Sequence, residues 1–201
     1  MKTRHWLITL TLICWFFAVL TGCSRSPRVN FYILEPTAKA EIAVPAKNAP
    51  TVVIAAITLP EIVDRPQLVV RVDGSRVDIL EMHRWAEPLK SRIPRLLAEN
   101  LSRLLGSPQV STDSQTAARK ADYRIFVDIL RFESTADSVT VDALWTIRQT
   151  MQGAQKNGRS QVQEPCSGKG YEALVSAYSR ALAAVSNDIA RAIHTEWAAP
   201  R

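Results

Sequence analysis

Val139, Val141, Ala143, Trp145 and Ile147 stand at alternate positions of one run, with Thr140, Asp142 and Thr146 among the residues between them. Side chains of a strand alternate between its two faces, so this run predicts a strand with one face buried and the other wet. A half-buried strand needs a second layer over its apolar side. This run therefore constrains the fold more than any other stretch of the chain.

Two amphipathic helices are available as that layer. Leu89, Ile93, Leu96, Leu97, Leu101, Leu104 and Leu105 recur with helical spacing behind Pro88, and the run stops at Gly106, a pattern of proline opening and glycine closing a helix. Pro94 inside it predicts a kink or a break, since proline has no amide to give and crowds the preceding turn. Leu174, Tyr178, Leu182, Val185, Ile189 and Ile193 form the apolar face of a longer helix over Tyr171 to Trp197.

The remaining signals are strands and loops. Asn30 to Leu34 is β-like, and Thr51 to Leu59 is β-branched enough for a central strand. Leu68–Val72 and Arg76–Leu80 flank Asp73-Gly74-Ser75 and read as a hairpin, with a further strand over Tyr123 to Phe132. Asn157-Gly158 reads as a second hairpin turn, followed by a polar strand over Arg159 to Gln163. Glu35 to Pro50 reads as a long loop, and only a polar connection is expected between the first helix and Tyr123. Strands, helix, strands, helix give an α+β class: a mixed, largely antiparallel sheet with two main helices packed on it. A single domain over 30–197 with a short tail, 198–201, accounts for the chain. No internal repeat is evident.

The residues ahead of this domain carry a different message. Lys2 and Arg4 precede an apolar run from Leu7 to Val19, which as helix covers about 20 Å, short of the roughly 30 Å of a bilayer core. A short apolar run behind a basic start reads as a secretory signal. Leu20-Thr21-Gly22-Cys23 then looks like a bacterial lipobox. Cleavage is expected between Gly22 and Cys23, giving a signal peptide over 1–22 and a lipidated tether over 23–29. Cys23 would carry a covalent diacylglycerol and an N-acyl chain, and two or more chains make a stable membrane anchor. Ser24 to Arg28, fully extended, reaches about 17 Å. Ser24 stands where an aspartate would signal inner-membrane retention in enteric-type bacteria, so the expected destination is the periplasmic face of the outer membrane.

Chemistry is sparse. The net charge of +6 is mild, and two of the positive charges leave with the signal, so nothing here calls for a nucleic-acid partner. Of three cysteines, Cys14 leaves with the signal, Cys23 becomes a thioether and Cys166 remains alone, which precludes an intramolecular disulfide in the mature chain. Gly168-Lys169 lacks the rest of a phosphate loop, and no nucleophile elbow or paired metal-ligand motif is found. His5 leaves with the signal, while His83 and His194 are far apart in sequence. No catalytic residue, no metal site and no cofactor-binding site is expected, and the protein is not read as an enzyme. Arg84, Lys90, Arg92, Arg95 and Arg103 are most simply a solvated helix face, with contact to anionic lipid or an acidic partner as the second reading.

Two neighbouring segments carry a resemblance. Leu59 to Arg71, with Pro60, Asp64, Arg65 and Pro66, and His83 to Leu89, with Trp85 and Pro88, resemble the PqiC/YmbA-type auxiliary lipoproteins of ABC-type, MCE-domain transport systems. The run from Gly170 to Ala190 fits the same family. The resemblance implies a non-enzymatic part of an intermembrane lipid transport system, anchored in the outer membrane and docking a periplasm-spanning MCE-domain protein. It also makes a homo-oligomer an expectation, although no coiled-coil seam shows one. Pro60 and Pro66 fix a rigid turn between strands. Asp64-Arg65 pairs locally or faces a partner, and Trp85 with Pro88 pins the helix start to the sheet. Asp64, Arg65, Pro66 and Trp85 are thus the candidate motif, either structural or partner-binding. The alternative function is a free-standing periplasmic lipoprotein that binds lipid or a small molecule.

Overall fold

The computed structural model describes residues 28–39, 49–112, 120–151 and 153–197. The signal segment, Gly22, Cys23, most of the tether and the 198–201 tail lie outside the described residues. In chain order come β1 (Asn30–Tyr32), β2 (Val52–Thr58), β3 (Gln67–Arg71), β4 (Val77–Trp85) and α1 (Leu89–Leu105). They are followed by β5 (Val110–Thr112), β6 (Tyr123–Ser134), β7 (Ser138–Gln149), β8 (Gln155–Pro165) and α2 (Tyr171–Trp197).

The alternating run lies in β7, one strand in from the edge of a five-stranded sheet of order β5-β2-β6-β7-β8. Ile125, Val127 and Ile129 of β6 face Ile147, Trp145 and Ala143 of β7 in register, so the apolar positions of both strands gather on one side. That side is covered by both helices, α2 over β7 and β8 and α1 over β2 and β5, with the helices also touching each other. A second sheet of order β1-β4-β3 completes the domain. Antiparallel pairs dominate, while β2 runs parallel to both β5 and β6 and β1 runs parallel to β4. The fold is the expected single α+β domain with its strands shared between two sheets.

Three expectations change. Helix α1 runs unbroken through Pro94: proline leaves only the Lys90 carbonyl without its amide, while Ile93, Leu96, Leu97 and Leu101 are fully buried around it. The Asn157-Gly158 pair is not a turn. It lies inside β8, opposite Thr146 and Trp145. The chain instead reverses over Thr150–Ala154, where Gly153 has φ +67 and the Gln149 amide donates to the Ala154 carbonyl at 2.9 Å. Gly158 is a glycine because the Trp145 ring fills the place of its Cβ. Third, the connection after α1 contains β5, a three-residue strand parallel to β2.

The first part of the expected loop is a strap rather than a free excursion. Leu34 and Ala38 are buried, and the strap is bonded to both helices. The Glu35 amide donates to Ser179 Oγ (3.1 Å), and the Ala38 amide to Oδ1 of the buried Asn100 (3.1 Å). Asn100 in turn donates to Ser186 Oγ, so one polar chain ties the strap to α1 and α1 to α2. Pairing of this kind is what allows polar side chains into a core.

Candidate functional site

Between β2 and β3 the chain is reversed by its two prolines. Val63 N–H donates to the Pro60 carbonyl (3.1 Å), Asp64 N–H to Glu61 (3.2 Å) and Arg65 N–H to Val63 (2.9 Å). Val63 turns into the core while Ile62 stays exposed. The Pro66 carbonyl accepts from the Trp85 amide at 2.7 Å, fastening this turn to the end of β4. Pro88 then caps α1. The turn and the strand-to-helix junction therefore share a wall. Asp64, Arg65, Pro66 and Trp85, distant in sequence, come together on one cavity of about 330 Å³, completed by Ala86, Glu87, Pro88 and Leu89.

Trp85 serves the core as well as the cavity. It is 7% exposed and stands edge-on to Tyr178 at 6.0 Å, with Phe132 at 6.5 Å and Phe132 stacked on Tyr178 at 4.1 Å. Edge-on and offset rings of this kind add to simple burial. Burial also pushes the Tyr178 hydroxyl above its ordinary range.

Charge is unevenly spent around the cavity. Asp64 does not pair with Arg65; its carboxylate takes Lys90 Nζ at 2.5 Å. Glu87 is held by Arg95 and, at 3.6 Å, by Arg92. The Nε of Arg65 is buried and has no hydrogen-bond partner among the described residues. An unsatisfied buried donor costs about 1–3 kcal/mol, more for a charged group. The adjoining start of α1 has no side-chain cap and no acidic residue in its first turn, so its dipole adds to the positive character. Both carboxylates are engaged in ion pairs.

The cavity lining is made of two carboxylates, one guanidinium and apolar side chains. The other side chains singled out in the sequence are placed elsewhere. Nδ1 of His83 hydrogen-bonds Tyr32 Oη at 2.7 Å and its ring packs on Tyr171 at 4.0 Å, joining β1 and β4 to the start of α2. Cys166 is half-buried, and burial pushes its thiol up, away from nucleophilic character. Among the described residues no group of three or more His, Cys, Asp or Glu is placed to hold a metal ion. No described helix is long and apolar enough to cross a membrane.

The expected basic helix face does not include Arg84, which lies on β4, and the basic residues of α1 are not merely solvated. Arg92, whose side chain is 11% exposed, binds Glu99 at 3.0 Å and donates to the Leu34 carbonyl at 2.7 Å. Arg103 donates to the Pro36 carbonyl at 2.7 Å. These two arginines clamp the strap onto the helix. Arg92 and Glu99 are seven residues apart, two helical turns, a spacing visible in the sequence. The reach of Arg92 to a carbonyl 58 positions earlier was not. A wider, more open depression of about 500 Å³ lies between Arg95, Glu99 and Arg103 of α1 and the short strand β5; it adjoins residues outside the description.

The family model for ABC-type transport auxiliary lipoprotein components matches residues 32–190, a span that takes in the end of β1, all of β2 to β8, α1, most of α2 and the whole cavity wall. The chain has no match among curated protein sequences. Two crystal structures are similar in fold. One, of an uncharacterised protein, superposes with a TM-score of 0.64 at 20% identity, covering 83% of this chain and 99% of its own. The other, a Xanthomonas campestris protein, gives a TM-score of 0.62 at 16% identity, again covering 83% of this chain and 99% of its own.

Proposed function

This chain belongs to the family of ABC-type transport auxiliary lipoprotein components, and from that membership we propose that it is the outer-membrane-anchored member of an MCE-type intermembrane lipid transport system. In this reading Cys23 carries the lipid, the 23–29 tether holds the folded domain at the periplasmic face, and an MCE-domain protein spanning the periplasm comes to it. The domain is a docking component and performs no chemistry of its own.

The observation that carries this reading is the cavity at Asp64, Arg65, Pro66 and Trp85, the residues on which the family resemblance rests. A free-standing lipid carrier is less well supported by the same geometry. At about 330 Å³ the cavity is at the small end of ligand pockets and does not enclose a two-tailed lipid. Affinity purification from membranes in mild detergent tests the proposal, with an MCE-domain protein expected among the co-purifying chains. Recovery of the protein alone, with extracted lipid bound to it, would replace docking by the free-standing carrier.

A further inference from the structure

We infer that Phe31 and Ile33, on the outward side of edge strand β1, dip into the surface of the bilayer that holds the Cys23 lipid, and so fix how the domain stands on the membrane. This rests on the reading of Cys23 as the anchor. Phe31 is 66% exposed and Ile33 45%, while Tyr32 and Leu34 between and beyond them are buried. The alternation leaves no choice of face. Turning Phe31 inward would bring Tyr32 out of the core and break its 2.7 Å hydrogen bond to His83.

The covalent reach of the chain names the occupant. Cys23 stands five residues before Arg28, a stretch that extends to about 17 Å at most, and β1 begins two residues later. A compact domain of this length is about 40 Å across. The point at which the chain enters the domain therefore stays on the membrane side, and Phe31 and Ile33 are at that point. A contact too weak to hold a free protein is populated once an anchor keeps it close. Depth is limited by the backbone. β1 is the outer strand of the order β1-β4-β3, and an open strand edge is not tolerated in hydrocarbon. The strand thus lies at headgroup level, with only its two apolar side chains reaching the acyl boundary, as in other interfacial segments. Lipid alone would leave the domain free to swivel; lipid plus this edge sets its tilt toward a partner.

The test returns the full-length, lipidated protein to vesicles of phosphatidylethanolamine and phosphatidylglycerol. Ile33→Cys and, as a control, Ser75→Cys are made in a Cys166→Ser background and labelled with an environment-sensitive fluorophore. Ser75 lies in the β3–β4 turn, about 30 Å along β4 from Arg84, the residue paired with Phe31. A lipid-borne quencher near the headgroups is expected to quench the label at 33 severalfold more than the label at 75. Adding Phe31→Ser is expected to lower the quenching at 33 severalfold at an unchanged melting temperature. Equal quenching at 33 and 75, or quenching at 33 that ignores Phe31→Ser, overturns the inference. Self-quenching of the label at 33 in detergent, without quenching by lipid, would give Phe31 to a second copy of the chain and overturns it too. Flotation separates the two levels. Protein that floats with vesicles while its label at 33 stays in water sinks the patch and leaves the anchor standing, whereas wild type that does not float sinks both.

Discussion

Gly158 on β8 lies directly opposite Trp145 on β7, and the indole occupies the volume that a Cβ at 158 would need. The same indole donates from Nε1 to Ser160 Oγ at 3.1 Å, and Ser160 donates onward to Asp188 of α2 at 2.6 Å. One ring thus joins the sheet edge to the helix above it. Gly158→Ala is expected to force the ring aside and destabilise the domain by about 1–3 kcal/mol. Gly74→Ala, where nothing lies within 4 Å of the added carbon, is expected to leave the thermal midpoint almost unchanged. Equal melting of the two variants would show that the Trp145 ring yields freely.

Trp85→Ala removes an aromatic shared by the core and the cavity. With the ring 7% exposed against Phe132 and Tyr178, the expected loss is about 3–5 kcal/mol, a fall in melting temperature on the order of 10 °C. An unchanged melting curve with weakened partner recovery would assign Trp85 to the interface instead.

Acid should weaken the outer face of the sheet through Asp142. Hydrogen bonds from Arg159 at 2.8 and 2.6 Å hold its carboxyl below the usual range, and the same side chain shields it from water on the outward face. Arg71 does likewise for Glu133. A carboxyl held low in the folded state contributes its stability above the unfolded value and loses it as pH falls through the folded one. Asp142→Asn is therefore expected to melt below wild type at neutral pH, with the gap closing as pH drops below about 4. A gap independent of pH would mean that packing, not the ion pair, is what the substitution removes.

Cys23→Ala is expected to abolish both incorporation of labelled fatty acid and normal processing of the precursor. A variant that still takes up label and matures normally would place the anchor elsewhere.

Local signals were readable and long-range ones were not. Helix α2 runs from Tyr171 to Trp197 as its periodicity predicts, and α1 ends where Gly106 closes it. Pro94 misled because a missing hydrogen bond is a local loss, while the buried face that outweighs it depends on the sheet beneath. Asn157-Gly158 misled for the same reason: its turn propensity is local, and the demand made by Trp145 comes from the neighbouring strand. β5 is three residues long, too short for any pattern, and exists only because β2 offers it an edge. At the cavity, the proline pair and Trp85 announced a rigid motif. That Asp64 would choose Lys90 over its neighbour Arg65 depends on where α1 begins relative to the turn.

The strap has a mechanical consequence. Strand β1 pairs in parallel with β4 and passes directly into residues pinned by Arg92, Arg103, Asn100 and Ser179. A pull along the chain ahead of Arg28 therefore loads these bonds in shear, many at once, instead of peeling them one after another. Tension arriving from that end is shared between the small sheet and both helices before any single element can unravel.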